Sequence, residues 1–304
     1  MDTTKYIWMD GKHVPWEKAQ VHILTHAVHY GTAVFEGIRC YRTKRGPAVF
    51  RLTDHMKRLM GSAHIMGIKV PFTREVLEKA VIDTIRKNEI EECYIRPIVY
   101  LGYGKIGLNP VGATINVSIA VFPWGSYLGE EGVKNGIRAK VSSFCRGNVN
   151  AILDSAKTAG NYVNSVLAKR EAVEDGYDEA IMLSNDGFVA EATGENLFIA
   201  RNGHITTAPN ALVLEGITRD TIMELAADAG IRVSEEMFTR DQLYLADEAW
   251  LTGTAAEITP VREVDRRAIG EGKPGPLTRR FQETFKKIVR GEDEKWARWL
   301  NYVD

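Results

Sequence analysis

The stretch DSAKTAGNYVNS, residues 154 to 165, contains a single lysine, Lys157, among small and polar neighbours. A lysine amine is nucleophilic only when it is deprotonated, which desolvation or cationic neighbours favour. Small flanking residues also let a carbonyl compound approach the amine closely. Taken alone, the pattern is more typical of a solvated loop lysine, so a catalytic interpretation needs matching groups elsewhere in the chain.

Two side chains provide such groups. Tyr162 follows at a predicted helix start, where its phenol could hydrogen-bond an oxygen of a bound ring. Glu191, in VAEATGENLFIA, lies among small residues, where its carboxylate could pair with a protonated ring nitrogen and keep the ring an electron sink. Without the lysine, Glu191 would be interpreted as an ordinary turn carboxylate.

Two segments are typical of anion binding. In LEGITRDT, Ile217 and Thr218 begin a predicted helix, whose first N–H groups and dipole favour a phosphate. In LTGTAAEITPV, Thr254 and Ala255 form a small-residue turn whose N–H groups suit a phosphate or a carboxylate.

Three other patterns resemble functional sites but lack a feature that each site would need. GYGKIG, residues 102 to 107, has dinucleotide-loop spacing, but LNPVG after it does not predict the required helix. His22, His26 and His29 are closely spaced, but no neighbouring cysteine or carboxylate cluster completes a metal site, so we expect no metal. Ser155 beside Lys157 could form a hydrolase pair, although nothing nearby indicates an oxyanion hole.

Composition narrows the class of protein. The 304 residues are 44% hydrophobic and 26% charged, which is ordinary for a globular chain of two domains. The formal net charge of -1 predicts no nucleic-acid or membrane partner, so an anionic ligand needs a local site. The three cysteines include no C-x-x-C pair and, with no apolar leader, predict a reducing, cytoplasmic location.

Hydrophobic periodicity predicts an α/β fold with domains at 1–122 and 137–304, joined by a glycine-rich linker at 123–136. The first domain is predicted to contain a strand at PAVFRL, helices from Asp54 (the N-cap) to Met66 and from Thr73 to Asn88, and neighbouring strands at CYIRPIVY and TINVSIAVF. The second is predicted to contain strands at IRAKVSS, EAIMLS and ENLFIA, and helices at 158–175 and 218–229.

Seven stretches carry a resemblance to a known family: HYGTAVFEGIRCY, YIRPIVYLG, FPWGSYLGEEG, AKTAGNYVNS, EATGENLF, EGITRD and GTAAEITPV. On these motifs, almost the whole chain resembles the branched-chain-amino-acid aminotransferases, pyridoxal-phosphate enzymes of class IV and fold type IV. The resemblance implies a two-domain α/β (α+β) fold of the D-amino-acid-aminotransferase type, with a small N-terminal domain, a larger C-terminal domain and the cofactor at their interface. It also implies ping-pong transfer of the amino group of leucine, isoleucine or valine to 2-oxoglutarate.

The resemblance further implies residue roles. Lys157 matches the Schiff-base lysine, Tyr162 the partner of the cofactor's phenolic oxygen, and Glu191 the partner of its pyridine nitrogen. The phosphate-binding positions are Arg58, Ile217, Thr218 and Thr254. The positions that match substrate-carboxylate groups are Tyr94, Arg96, Thr254 and Ala255. The positions that match the side-chain pocket or its neighbours are Tyr30, Phe35, Gly37, Trp124 and Tyr127.

The resemblance implies a homodimer or a trimer of dimers, with branched-chain amino acids, glutamate and 2-oxo acids as substrates. The loop GNVNAILD before the lysine lacks the proline of many relatives, and the C-x-x-C pair of the mammalian enzymes is absent. Two alternatives stay open at this point. One is a relative of the same fold acting on D-amino acids, (R)-amines or aminodeoxychorismate, and the other is a non-catalytic pyridoxal-phosphate carrier.

Overall fold

The computed structural model of the protein describes residues 2–125 and 127–303. The chain forms two compact units. The first comprises Met1–Trp124, Ala156–Asn161 and Lys286–Asp304, and the second comprises Gly125–Ser155 and Tyr162–Phe285. Met1, Ser126 and Asp304, which fall inside the predicted domain and linker ranges, lie outside the described residues.

The first unit is an antiparallel sheet with helices on it. Its described elements are β1 (Tyr6–Met9), β2 (Lys12–Pro15), α1 (His26–Tyr30), β3 (Ala33–Phe35), β4 (Ile38–Thr43), β5 (Gly46–Phe50), α2 (Leu52–Ile65), α3 (Arg74–Asn88), β6 (Cys93–Leu101), β7 (Ile115–Phe122) and, near the C-terminus, β17 (Leu300–Tyr302). The strand order is β17-β5-β4-β6-β7-β1-β2, with β3 paired to β6.

The core of the first unit joins this sheet to α2 and α3. Alternating residues of β7, among them Ile119, are fully buried with Met56 and Leu59 of α2 and Ile85 of α3. The predicted pairing of CYIRPIVY with TINVSIAVF is confirmed, because β6 and β7 run antiparallel in continuous register. The Thr73 side chain caps α3 by accepting from the N–H of Val76.

The second unit is built around a ring of strands. Its elements are α4 (Gly129–Asn135), β8 (Ile137–Val141), α5 (Tyr162–Glu174), β9 (Glu179–Leu183), β10 (Val189–Ala192), β11 (Asn196–Arg201), β12 (His204–Thr207), α6 (Ile217–Asp228), β13 (Val233–Glu235), α7 (Arg240–Tyr244), β14 (Glu248–Gly253), β15 (Glu257–Val264), β16 (Arg267–Ala268) and α8 (Pro276–Val289), whose last residues belong to the first unit. The order β10-β9-β8-β15-β14-β11 closes on itself through the β10–β11 pairing of Glu191 with Asn196.

Long-range pairing explains two differences from the predicted domains. The segment around Lys157 and the C-terminal strand belong to the first unit, whereas the predicted second domain, 137–304, includes both. Thr158 forms a β-bridge with Val34, and β17 pairs with β5. Neither pairing has a local sequence signal.

One local prediction was wrong, and a second left out a helix. Asp54 is not the N-cap of α2, which begins at Leu52 after Arg51 in a left-handed conformation (φ 51°). The C-terminal segment determines this start, because the Arg51 N–H donates to the carbonyl of Trp299 (2.6 Å) and the Leu52 N–H to Asn301 Oδ1 (3.2 Å). The predicted linker contains α4, none of whose residues is buried, so no apolar period marks it.

None of the helices within residues 2–125 and 127–303 combines the length and the apolar character needed to cross a membrane.

Candidate active site

Lys157 is held by its main chain in the first unit. Its N–H donates to Ser62 Oγ on α2 (3.0 Å), and its carbonyl accepts from the N–H of Phe35 on β3 (3.1 Å). Because the following segment pairs with β3, α5 begins at Tyr162 rather than at the predicted Thr158. The Lys157 Nζ lies 5.2 Å from the centre of the Phe35 ring.

The small residues near Lys157 also serve backbone packing. The Gly160 N–H donates to the carbonyl of Gly31 (3.1 Å). Gly31 has φ 66°, and a Cβ there would lie 2.8 Å from Gly160 Cα. The small residue Gly160 near Lys157 is therefore explained by this close approach of two backbone segments.

One face of α2 presents His55, Arg58 and Ser62, which are three and four residues apart. The Arg58 Nε and Nη2 donate to the two carboxylate oxygens of Glu36 at 2.7 and 2.9 Å. His55 Nδ1 lies 2.7 Å from Glu36 Oε2. Glu36 follows β3 and is completely buried. The predicted phosphate ligand Arg58 is thus oriented by a bidentate ion pair.

Electrostatics keep Glu36 ionised despite its burial. Burial acts to raise the pKa of the Glu36 carboxyl, but Arg58 and the hydrogen bond with His55 outweigh it and hold the pKa well below its usual range. The pKa of His55 is lowered, chiefly by burial, while Glu36 opposes this shift and the charge of Lys157 adds to it. His55, Arg58 and Lys157 are therefore neighbours within the first unit.

The predicted carboxylate ligands of the first unit form an aromatic-walled cluster. The Arg96 guanidinium lies 4.9 Å from the ring centre of Phe35 and 5.2 Å from that of Tyr94. Its Nε is buried and has no hydrogen-bond partner among the described residues. Gly37 is required beside this cluster, because a Cβ there would lie 2.0 Å from the Tyr94 hydroxyl oxygen. The Trp124 ring lies 5.5 Å from that of Tyr94.

Tyr30 is separate from this cluster. It ends α1, its ring packs at 4.5 Å from that of His26, and 40% of its surface is exposed. His26 itself bonds to Thr32 Oγ1 (2.7 Å) and to the carbonyl of Gly107 (2.9 Å). This histidine therefore fixes the loop that contains GYGKIG, where no helix begins among the described residues.

In the second unit, Glu191 lies at the closure of the strand ring. Its Oε2 accepts from Asn196 Nδ2 (3.0 Å) and from the Leu214 N–H (3.3 Å), and its Oε1 lies 3.0 Å from Arg146 Nη2. These contacts are all to donors, and only 5% of Glu191 is exposed. The environment therefore suits a carboxylate anion.

The segments predicted to bind anions surround Asn196. Its Nδ2 also donates to the carbonyl of Leu214 (2.9 Å), and a Cβ on Gly216 would lie 1.9 Å from its Oδ1. Gly216 precedes α6, whose start has no side-chain cap from the described part of the chain. Asn196 also pairs with Thr252 of β14, two residues before Thr254. The second unit thus brings the α6 start and the turn after β14 to the same end of β11 as Glu191.

A second group of buried acids lies beside Glu191. Glu179 is fully buried and accepts from Lys169 Nζ, Thr193 Oγ1 and the Ala180 N–H at 2.7 to 2.8 Å. Burial, with the charge of Glu179 as the next cause, raises the pKa of Glu195 to about 8. The Glu195 carboxyl is therefore protonated and neutral near neutral pH.

Sequence comparisons assign the chain to a family. It matches the family described as amino-transferase class IV over residues 33–264. The branched-chain-amino-acid aminotransferase of Pseudomonas aeruginosa is 47% identical over 302 residues, covering 99% of this chain and 98% of that protein. The chain belongs to the class IV aminotransferases.

Solved structures of class IV aminotransferases support this family assignment. The crystal structure of the Escherichia coli branched-chain amino acid aminotransferase covers 99% of this chain and 100% of its own, with a TM-score of 0.97 and 48% identity. The Thermobaculum terrenum enzyme in its PLP-form covers 100% of both chains, with a TM-score of 0.94 and 37% identity. The predicted family, fold class, transaminase activity and dependence on pyridoxal phosphate are confirmed.

The side chains of this class IV aminotransferase fit the cofactor. The first unit offers a primary amine at Lys157 and a guanidinium at Arg58. The second offers a carboxylate contacted by donors at Glu191 and the start of α6 after Gly216. An aldehyde, a ring nitrogen and a phosphate are the groups that these donors and acceptors suit.

Three side chains at these sites were not predicted. Glu36 holds Arg58 and is itself contacted by His55, and Arg146 contacts Glu191. Glu36 carries the one available signal, because it is an acid within the apolar stretch AVFEGI. Arg146 has no local signal, because it lies 45 positions before Glu191 in an irregular loop.

Proposed function

We propose that Lys157 is the reactive amine of a branched-chain L-amino acid aminotransferase, which reversibly transfers the amino group of leucine, isoleucine or valine to 2-oxoglutarate. The supporting observation is the fixed Lys157 main chain, with hydrogen bonds on both sides and the side chain against Phe35. The comparisons favour this function over the D-amino-acid, amine, lyase and carrier alternatives.

Bound pyridoxal phosphate supplies an aldehyde for the amino group and a ring that withdraws electrons. In the proposal, Glu191 holds the proton of the ring nitrogen and Tyr162 donates to the phenolic oxygen. The phosphate is bound by Arg58, Ile217, Thr218 and Thr254. The Nζ of Lys157 acts as the general base that takes the proton from the substrate Cα, and it then returns this proton at C4′ of the cofactor.

Substrate choice is proposed to depend on the Arg96 cluster. Phe35 forms an apolar wall for leucine, and Tyr30, which is separate from this cluster within one chain, is proposed to supply a second wall across a dimer interface. Arg96 and the Tyr94 hydroxyl receive the second carboxylate of glutamate. The Phe35 and Tyr94 rings lie against the Arg96 guanidinium. They limit the free-energy cost of burying its Nε without a hydrogen bond when leucine is bound. Arg96→Ala should reduce kcat/KM for glutamate far more than for leucine, and equal losses would contradict this division.

The role of Lys157 can be tested without an activity assay. Borohydride reduction of the holoenzyme, followed by peptide mass mapping, should attach the cofactor to the peptide that contains Lys157. Lys157→Ala should lose the label, and the exposed control Lys134→Ala should retain it. A label on any other lysine of the wild-type chain would refute the assignment.

We also propose a homodimer or a trimer of dimers in the cytoplasm. The support for assembly is exposed apolar side chains near Tyr30, among them Ile23 (71% exposed) and Val28 (54% exposed). The support for a reducing compartment is that the three cysteines are free. Sedimentation of the holoenzyme and cell fractionation test these two proposals, and a monomer or a secreted protein would refute them.

A further inference from the structure

Arg146 and Asp154 form an ion pair next to Glu191 that the proposed reaction does not use. Arg146 Nη2 hydrogen-bonds Asp154 Oδ1 and also lies 3.0 Å from Glu191 Oε1. One nitrogen of a single guanidinium therefore faces two carboxylates. The side chains of Arg146, Asp154 and Glu191 are 12%, 7% and 7% exposed, so solvent screens their charges weakly.

The charges of the three groups depend on one another. Burial acts to lower the pKa of Arg146, but Glu191 and Asp154 outweigh it and raise the pKa above its ordinary value. Burial raises the pKa of Asp154, and Arg146 opposes this shift. With Arg146 cationic and both acids anionic, the group has one net negative charge next to the proposed position of the ring nitrogen.

Other charged and titratable groups face Glu191 or Arg146 from the neighbouring elements. Tyr162, at the start of α5, contributes to the electrostatics at Arg146. Burial and the charge of Glu179, with a smaller contribution from Glu191, raise the pKa of Glu195, just before β11, to about 8, so this carboxyl is neutral near pH 7. Arg146 is consequently a full charge in direct contact with Glu191, and Asp154 is its ion-pair partner.

The sign of the effect follows from simple electrostatics. Arg146 alone would make the electrostatic potential near Glu191 more positive, which disfavours a protonated ring nitrogen. The anion of Asp154 offsets this cation. We propose that Asp154, acting through Arg146, is a positioning residue that keeps Glu191 basic enough to hold the proton on the ring nitrogen of the cofactor. This inference rests on the proposed contact between Glu191 and that nitrogen.

The test measures protonation of the ring nitrogen directly. Holoenzyme is reconstituted with cofactor labelled with ¹⁵N in the ring, and the ¹⁵N chemical shift is followed against pH. Asp154→Asn should lower the proton affinity of the nitrogen by about tenfold, that is, by about one pH unit. Asp154→Glu should restore it, and Asp186→Asn, an exposed change in the same unit, should leave it unchanged.

A double variant separates charge from structure. Arg146→Gln alone removes a cation and should not lower the proton affinity. Combined with Asp154→Asn, it returns the group to one net negative charge, so the titration should move back toward wild type. If Asp154→Asn does not fold, Arg146→Gln and the double variant still provide the comparison, through the directions in which they shift the titration of the ring nitrogen. A purely structural role predicts instead that the double variant titrates no closer to wild type than Asp154→Asn.

Glu191→Gln distinguishes this inference from the proposed function. If Glu191→Gln lowers the proton affinity and Asp154→Asn does not, the inference is wrong and the proposed role of Glu191 stands. If Glu191→Gln also has no effect, the proposed role of Glu191 is wrong, and the inference fails with it. A loss with both Glu191→Gln and Asp154→Asn, together with recovery in the double variant, is the expected result.

Discussion

Glu36 in the first unit and Glu195 in the second are both nearly inaccessible to solvent, at 0% and 4% exposure. Their carboxyl groups nevertheless shift in opposite directions. Burial acts on both, but Arg58 and His55 lower the pKa of Glu36, whereas Glu179 adds to burial and raises that of Glu195 to about 8. Burial therefore makes a carboxylate sensitive to its neighbours, and the neighbours decide the sign.

The difference matches the proposed tasks of the two units. In the first, a permanently ionised Glu36 holds Arg58 in a fixed orientation for a phosphate. In the second, Glu191 accepts from donors, and in the proposal the anion of Asp154 offsets the positive charge of Arg146 beside it. A neutral Glu195 lies beside Glu191 and adds no negative charge there near neutral pH.

The largest effect is expected from Glu36→Gln. The substitution preserves size but removes the buried carboxylate that pairs with the Arg58 guanidinium through two hydrogen bonds, so the free energy of unfolding should fall by about 3 to 5 kcal/mol. The urea midpoint of the holoenzyme, at one fixed protein concentration, measures this. Glu263→Gln, whose pair with Arg138 is partly exposed, is the matched control and should lose much less.

An intermediate, pH-dependent effect is expected from Glu195→Gln. The folded state keeps a proton up to about pH 8 that the unfolded state releases near its ordinary 4.5, so wild-type stability falls as the pH rises through this range. The glutamine variant lacks this contribution. Relative to wild type, its free energy of unfolding should be higher at about pH 9 than at about pH 5, by a few kcal/mol. The same difference at both pH values would show that Glu195 is not perturbed.

The smallest effect is expected from Glu174→Gln. Glu174 pairs with Arg170 one turn earlier on α5, and both side chains are about 70% exposed. Solvent screens this pair, so the urea midpoint should move by less than about a tenth of the Glu36→Gln shift. Repeating the measurement at high salt should remove even that difference. A large shift would mean that exposure does not account for the contrast between the three glutamates.

Local elements were predictable where the residues themselves carry the signal. Thr73 caps α3, and alternating apolar residues mark β6 and β7, because a side-chain cap and a two-residue period depend on near neighbours. The start of α2 was not predictable, because Trp299 and Asn301 determine it from the far end of the chain. Helix α4 was missed because it buries no apolar face.

The candidate residues show the same division. Lys157 and Glu191 were predicted from residue type and family resemblance, and Arg58 from the resemblance alone. Their partners were not: Glu36 is 22 positions from Arg58, and Arg146 is 45 from Glu191. No periodic pattern connects such distant positions. A carboxylate and a guanidinium become partners only when strands and helices pack them together.

By itself, the sequence determined the chemical inventory and the family: one amine among small residues, an acid in EATGENLF, and two segments suited to anions. The tertiary structure alone decided the charge state of the buried acids. The reason is that a pKa depends on burial and on charges within a few ångströms, and both are properties of packing. Glu36, Glu191 and Glu195 are identical in type, and only their surroundings make them different.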